Sequence, residues 1–90
     1  MTALITGASS GIGAELALEF AKDKIDLILV ARREDRLKQI ATTLSTNHGI
    51  KVTVIALDLS LAGSAEELYK KVKSLRLSVD YLVNNAGFGD

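Results

Sequence analysis

Ninety residues, 48% of them apolar and 24% charged, suit one soluble globular domain or part of one and exclude a disordered chain. Eleven basic residues balance eleven acidic ones, so no overall charge points to nucleic acid or an anionic membrane. The lack of cysteine excludes a disulfide frame and a thiolate metal site, and no apolar run approaches the ~20 residues that cross a bilayer.

A first strand is predicted over Thr2–Thr6, so close to Met1 that no signal peptide is expected and the cytoplasm is the default compartment. Ile12, Leu16, Ala17, Phe20 and Ala21 recur at helical spacing and predict an amphipathic helix from Gly11 to about Asp23. Ile25–Ala31 holds the unbroken run Leu27-Ile28-Leu29-Val30 and reads as a strand buried on both faces, as parallel sheets require. Leu37, Ile40, Ala41 and Leu44 mark a second helix from about Glu34 to Thr46. Glu34 and Asp35 suit its positive first turn, and Asn47-His48-Gly49 suits its exit.

Lys51–Leu57 is a β-branched third strand. Ser64-Ala65-Glu66-Glu67 fits a capping box, and Leu68, Val72 and Leu75 supply the apolar stripe of a third helix. Glu66–Lys70 and Glu67–Lys71 are i,i+4 pairs on its solvated face. Val79–Val83 is a fourth strand, followed by Asn84-Asn85-Ala86-Gly87-Phe88-Gly89-Asp90. The β-α-β-α-β-α-β alternation, with right-handed crossovers, predicts an α/β fold with an open parallel sheet of order 3-2-1-4.

Thr6-Gly7-Ala8-Ser9-Ser10-Gly11-Ile12-Gly13 carries the most chemistry. Gly7 permits a tight turn out of the strand, Gly11 removes a side chain that would block a phosphate, and Gly13 lets helix and strand pack closely. The bare N–H groups of the helix start and the positive end of its dipole then form an anion site fit for a pyrophosphate. Ser9 and Ser10 add hydroxyl donors. The competing reading is a glycine-rich turn that binds nothing; its place between strand and helix favours nucleotide binding. Asn84 and Asn85 put two amide side chains after an apolar strand, where each needs partners if buried. His48, the single histidine, sits in a polar turn without carboxylate or cysteine beside it and reads as loop surface.

Together these features resemble the short-chain dehydrogenase/reductase family over the whole chain. Four motifs stand in that family's order. Thr6–Gly13 matches T-G-x-x-x-G-x-G, and Val30-Ala31-Arg32-Arg33 matches the second-strand end of members that use the phosphorylated cofactor. Asp58-Leu59 matches the adenine-contacting pair after the third strand, and Asn84-Asn85-Ala86-Gly87 matches N-N-A-G after the fourth. The resemblance implies a Rossmann-type, incomplete doubly wound fold. Residues 1–90 would be the N-terminal part of one dinucleotide-binding domain, truncated after the fourth strand. It implies cofactor contacts from Gly7, Ser9, Ser10, Gly11, Ile12, Gly13, Arg32, Arg33, Asp58, Leu59, Asn85, Ala86 and Gly87.

The second-strand tip decides which cofactor. An NAD-preferring enzyme places there a carboxylate that accepts from the ribose 2′-hydroxyl and would repel a 2′-phosphate. Here that position is Ala31, followed by Arg32 and Arg33, whose guanidinium forks bind phosphate bidentately. Asp26 enters the strand at the far end, and Glu34 and Asp35 lie past the tip. NADP(H) is the expected cofactor; the alternative is that both arginines are ordinary surface charges. By the same resemblance, Asp58 meets the adenine amino group rather than merely capping a loop. Leu59 adds backbone and apolar contact, Asn85-Ala86-Gly87 lies beside the ribose, and Asn84 braces the sheet.

The family's chemistry uses a Tyr-x-x-x-Lys pair and an upstream serine. Tyr69-Lys70-Lys71-Val72-Lys73 has the spacing, but it precedes the N-N-A-G segment, whereas the family's pair follows it by many tens of residues. The serine position would fall near Ala56. Tyr69 and Lys73 are therefore decoys, and no residue is assigned to catalysis or to a metal. The intact enzyme implied by the resemblance transfers hydride between NADP(H) and a small-molecule carbonyl or alcohol, as a homo-oligomer, with no nucleic acid or membrane partner. Two other readings stay open: a stand-alone nucleotide-binding module and an inactive truncation product. The chain alone is expected to be marginally stable, since a single helix on one sheet face leaves apolar surface and a bare edge strand.

Overall fold

The structure is a computed structural model that describes residues 1–9 and 11–85. Short apolar runs alternate with amphipathic helices as β1 (Thr2–Thr6), α1 (Gly11–Lys22), β2 (Asp26–Ala31), α2 (Glu34–His48), β3 (Val52–Ala56), α3 (Ser64–Ser74) and β4 (Tyr81–Asn84). β1 pairs with β2 and β4, and β2 with β3, all in parallel, so the order is β3-β2-β1-β4. This is the order that the alternation predicts. Register sets Thr6 level with Val30 and Asn84, and Ala31 level with Ala56. The carboxyl ends of all four strands therefore lie along one edge of the sheet.

Successive side chains of a strand point to opposite faces, which divides the core in two. On one face Ala3, Ile5, Leu27, Leu29 and Ala31 meet Ala17 and Ala21 of α1 and Leu37 and Leu44 of α2. On the other, Leu4, Ile28, Val30 and Ile55 cluster with Leu68 and Val72 of α3 and with Leu77. Leu27, Ile28, Leu29 and Val30 are each at most 1% exposed, as a strand covered on both faces requires. At about 1.5–3 kcal/mol for each fully buried side chain of this size, β2 anchors the sheet. β4 lies at the edge, and its Leu82 is 70% exposed. No helix among the described residues is long and apolar enough to cross a membrane.

β2 starts one residue later than expected and β3 is one residue shorter at each end, and three further differences from the sequence expectation have a local reason. Ser64 is not an N-cap. Gly63 takes that place with φ 82°, and the Ser64 hydroxyl donates to the Leu61 carbonyl at 2.7 Å. That hydroxyl is turned back into the preceding turn, so the capping box does not form. β4 begins at Tyr81 rather than Val79 because the Thr2 N–H donates to Asp80 Oδ2, a side-chain acceptor, at 2.9 Å. α2 continues to His48, so this histidine closes a helix instead of sitting in a loop; its carbonyl accepts from Lys24 Nζ at 2.7 Å.

The helix exits differ as well. α2 ends through Gly49 in the left-handed region, as its glycine suggests. α1 and α3 end through Lys24 (φ 62°) and Arg76 (φ 56°), with Ile25 N–H on the Phe20 carbonyl and Leu77 N–H on the Val72 carbonyl. Those long turns satisfy the last carbonyls without a glycine.

Candidate functional site

β1 runs straight into the glycine-rich loop. Gly7 follows its last residue at φ 63°, a conformation that favours glycine, and Ala8 N–H donates to the Val30 carbonyl at 3.1 Å. The chain leaves β1 toward β2 through α1, and returns on the opposite side of β1 as β4. Open α/β sheets bind ligands in the crevice outside the strand ends at such a reversal. Gly7 and Asn85 stand on its two sides.

The seam between them is closed by hydrogen bonds. Asn85 is 7% exposed; its N–H donates to Thr6 Oγ1 at 2.9 Å and its Nδ2 to the Gly7 carbonyl at 3.2 Å. The Thr6 hydroxyl in turn donates to Asn84 Oδ1 at 3.1 Å, so Asn84 braces β4 against β1. Two amides that the sequence leaves without partners are thus used in holding the crevice together.

The glycines of the helix start have opposite surroundings. A Cβ on Gly13 would collide with the Gly7 carbonyl oxygen and come within 2.9 Å of both Ala8 Cα and Asn85 Nδ2. Close helix–strand packing accounts for that glycine. A Cβ on Gly11 would meet nothing within 4 Å, and Gly11 is not among the positive-φ glycines. Nothing within the described residues calls for glycine there. The space over it is open at the N-terminus of α1, beside Ile12, which is 58% exposed.

Arg32 and Arg33 are exposed directly after β2, and Ala31, the last residue of that strand, is buried. Asp58 and Leu59 lie just past β3, with Leu59 packed on the α3-side cluster. Asp58 Oδ1 accepts from the Ser60 hydroxyl at 2.6 Å and from the Ser60 N–H at 2.9 Å. Those two bonds hold its carboxyl below the ordinary aspartate value; desolvation opposes them, and Arg32 adds a smaller electrostatic pull. The structure therefore gathers Gly7, Ser9, Gly11, Ile12, Gly13, Arg32, Arg33, Asp58, Leu59 and Asn85 along one sheet edge. Ser10, Ala86 and Gly87 lie outside the described residues.

Tyr69 and Lys73 lie one turn apart on α3. Tyr69 is 65% exposed, and Lys73 Nζ lies 5.8 Å from its ring centroid. One residue at the edge is absent from the sequence reading. Arg36, in the first turns of α2, donates from Nε to the Ser9 carbonyl at 2.9 Å. Its only local signal is a third arginine shortly after the strand tip.

The sequence model of the family described as short chain dehydrogenase matches residues 1–90. The chain belongs to that family. It is 42% identical over 86 residues to an 11-beta-hydroxysteroid dehydrogenase of Pinus massoniana, covering 96% of this chain and 24% of that protein. L-sorbose reductase from Gluconobacter frateurii, crystallised with NADPH and L-sorbose, superposes with a TM-score of 0.89 at 40% identity. That match covers 99% of this chain and 34% of the reductase. The alcohol dehydrogenase of the archaeon Thermococcus sibiricus, complexed with 5-hydroxy-NADP, gives 0.83 at 44% identity over 90% of this chain and 34% of the other. The chain thus spans about a quarter to a third of the length of these relatives. Its open sheet of order 3-2-1-4 is the Rossmann-type fold of the short-chain dehydrogenases.

Proposed function

We propose that this chain is the NADP(H)-binding portion of a short-chain dehydrogenase/reductase, the N-terminal part of one dinucleotide-binding domain. The observation that carries the reading is Gly11. Among the described residues neither backbone strain nor crowding calls for a glycine there, whereas a phosphate approaching the N–H groups of α1 would. Ser9 flanks the same approach, Ile12 and Gly13 continue it into the helix, and Ser10 is assigned to the site from its place in the glycine motif alone. Arg32 and Arg33 follow a strand tip that offers alanine where an acid would repel the 2′-phosphate. Asp58 and Leu59 border the adenine, and Asn85, Ala86 and Gly87 border the ribose.

The nicotinamide supplies hydride chemistry at C4 when bound. The intact enzyme acts on a carbonyl or alcohol carbon, and works as a homo-oligomer in the cytoplasm. The relatives support the cofactor: the sorbose reductase structure holds NADPH and the Thermococcus enzyme holds 5-hydroxy-NADP.

A fluorescence titration of the full-length protein with NADPH tests the reading. Wild type should bind saturably, and Gly11→Val should lose binding while its unfolding midpoint stays in place. Undiminished binding by Gly11→Val would remove the loop as the phosphate site.

A further inference from the structure

We propose that Arg36 is a positioning residue for the glycine-rich loop, acting through the Ser9 carbonyl and not by touching the cofactor. The inference rests on the cofactor reading above. Arg36 Nε donates to the Ser9 carbonyl oxygen at 2.9 Å, across 27 positions of sequence. Ser9 is 5% exposed, so its polar groups need partners within the protein. A guanidinium donor makes a charge-assisted bond, roughly twice as strong as a neutral one.

A loop that receives a pyrophosphate must turn N–H groups toward it and keep carbonyl oxygens, which repel it, turned away. Arg36 holds the Ser9 carbonyl on the α2 side and offsets its negative end. On the β2 side the loop is also fixed by the Ala8 N–H on the Val30 carbonyl, at 3.1 Å. On the β4 side it is fixed by Asn85 on the Gly7 carbonyl. Arg36 reaches the loop at Ser9, on its way into α1. Because α2 begins at Glu34, straight after Arg33, the same helix start ties the phosphate loop to the corner carrying Arg32 and Arg33.

The pyrophosphate is common to NADPH and NADH, so loss of this clamp should weaken both alike. In the full-length protein, dissociation constants for each nucleotide are measured for wild type, Arg36→Ala, Arg36→Lys and Arg32→Ala. Arg36→Ala should weaken NADPH and NADH by the same factor, about tenfold, the scale of one lost charge-assisted bond. Arg36→Lys, which keeps a cationic donor, should recover part of the loss. Arg32→Ala should affect NADPH only. In the nucleotide-free protein, amide exchange at Gly7, Ala8 and Ser9 should quicken in Arg36→Ala while β2 stays protected. A loss confined to NADPH would mean that Arg36 contacts the 2′-phosphate, and would overturn the proposal. Wild-type binding that Arg36→Ala leaves unchanged would overturn it alone. Wild-type protein that binds neither nucleotide would overturn the cofactor reading and this inference with it.

Discussion

Asn85 Nδ2 donates to the Gly7 carbonyl oxygen at 3.2 Å, and a Cβ on Gly13 would stand 2.9 Å from that same nitrogen. The end of β4, the loop after β1 and the first turn of α1 thus meet at one point with no space for a methyl group. Three separate segments thus close the crevice at the sheet reversal through one amide side chain, one backbone carbonyl and one glycine.

That crowding predicts the cost of filling it. Gly13→Ala should destabilise the full-length protein by about 1–3 kcal/mol, the usual range for overpacking a tight site. Urea unfolding measures it, with Gly11→Ala as the control, since a methyl group there meets open space. Equal stability of the two variants would show that the loop yields to the added atom.

Arg32 should separate the two nicotinamide cofactors. Arg32→Ala should cost about 1.5–3 kcal/mol of NADPH affinity, typical of a charge-assisted contact, and change NADH affinity little. Titration calorimetry with both nucleotides reads the difference directly. Comparable losses would mean that Arg32 supports the fold of the corner and not the 2′-phosphate.

Asp58 should titrate low because of Ser60. The Ser60 hydroxyl and N–H stabilise its charged form, so its folded value lies below the ordinary 3.8. A carboxyl lowered on folding contributes stability fully above its unfolded value, and that contribution is lost as pH falls through the lower folded one. Carbon-detected NMR titration should place the Asp58 midpoint below 3.8, and Ser60→Ala should raise it. A midpoint unmoved by Ser60→Ala would assign the shift to another group.

The exposed edge should govern behaviour of the 90-residue chain expressed alone. Leu82 is 70% exposed on β4, level with buried Leu4, and Tyr81 beside it is 40% exposed. A bare apolar edge invites pairing with other chains, and a lysine blunts it. Sedimentation should show association at micromolar concentration that Leu82→Lys reduces. A monomeric wild-type chain that unfolds cooperatively would count against this.

The strands and helices were legible in the residue pattern because the period of apolar residues is a local property, and so were the glycine turns at Gly7 and Gly49. Leu27-Ile28-Leu29-Val30 announced a strand covered on both faces, and short alternating elements sufficed to order the sheet. The partners of individual polar groups were not legible, because a hydrogen bond depends on where distant segments arrive. A serine hydroxyl both donates and accepts, and only the nearness of the Leu61 carbonyl turned Ser64 from cap to donor. Lys24 and Arg76 entered the left-handed region because the turns that follow their helices demanded it, with no glycine to signal the exit. Arg36 had no assigned role in the residue pattern, because only folding brings α2 against the loop after β1. The pattern of apolar residues selected the sheet; the folded chain selected which amide and which guanidinium would hold its crevice, since those contacts join residues far apart in sequence.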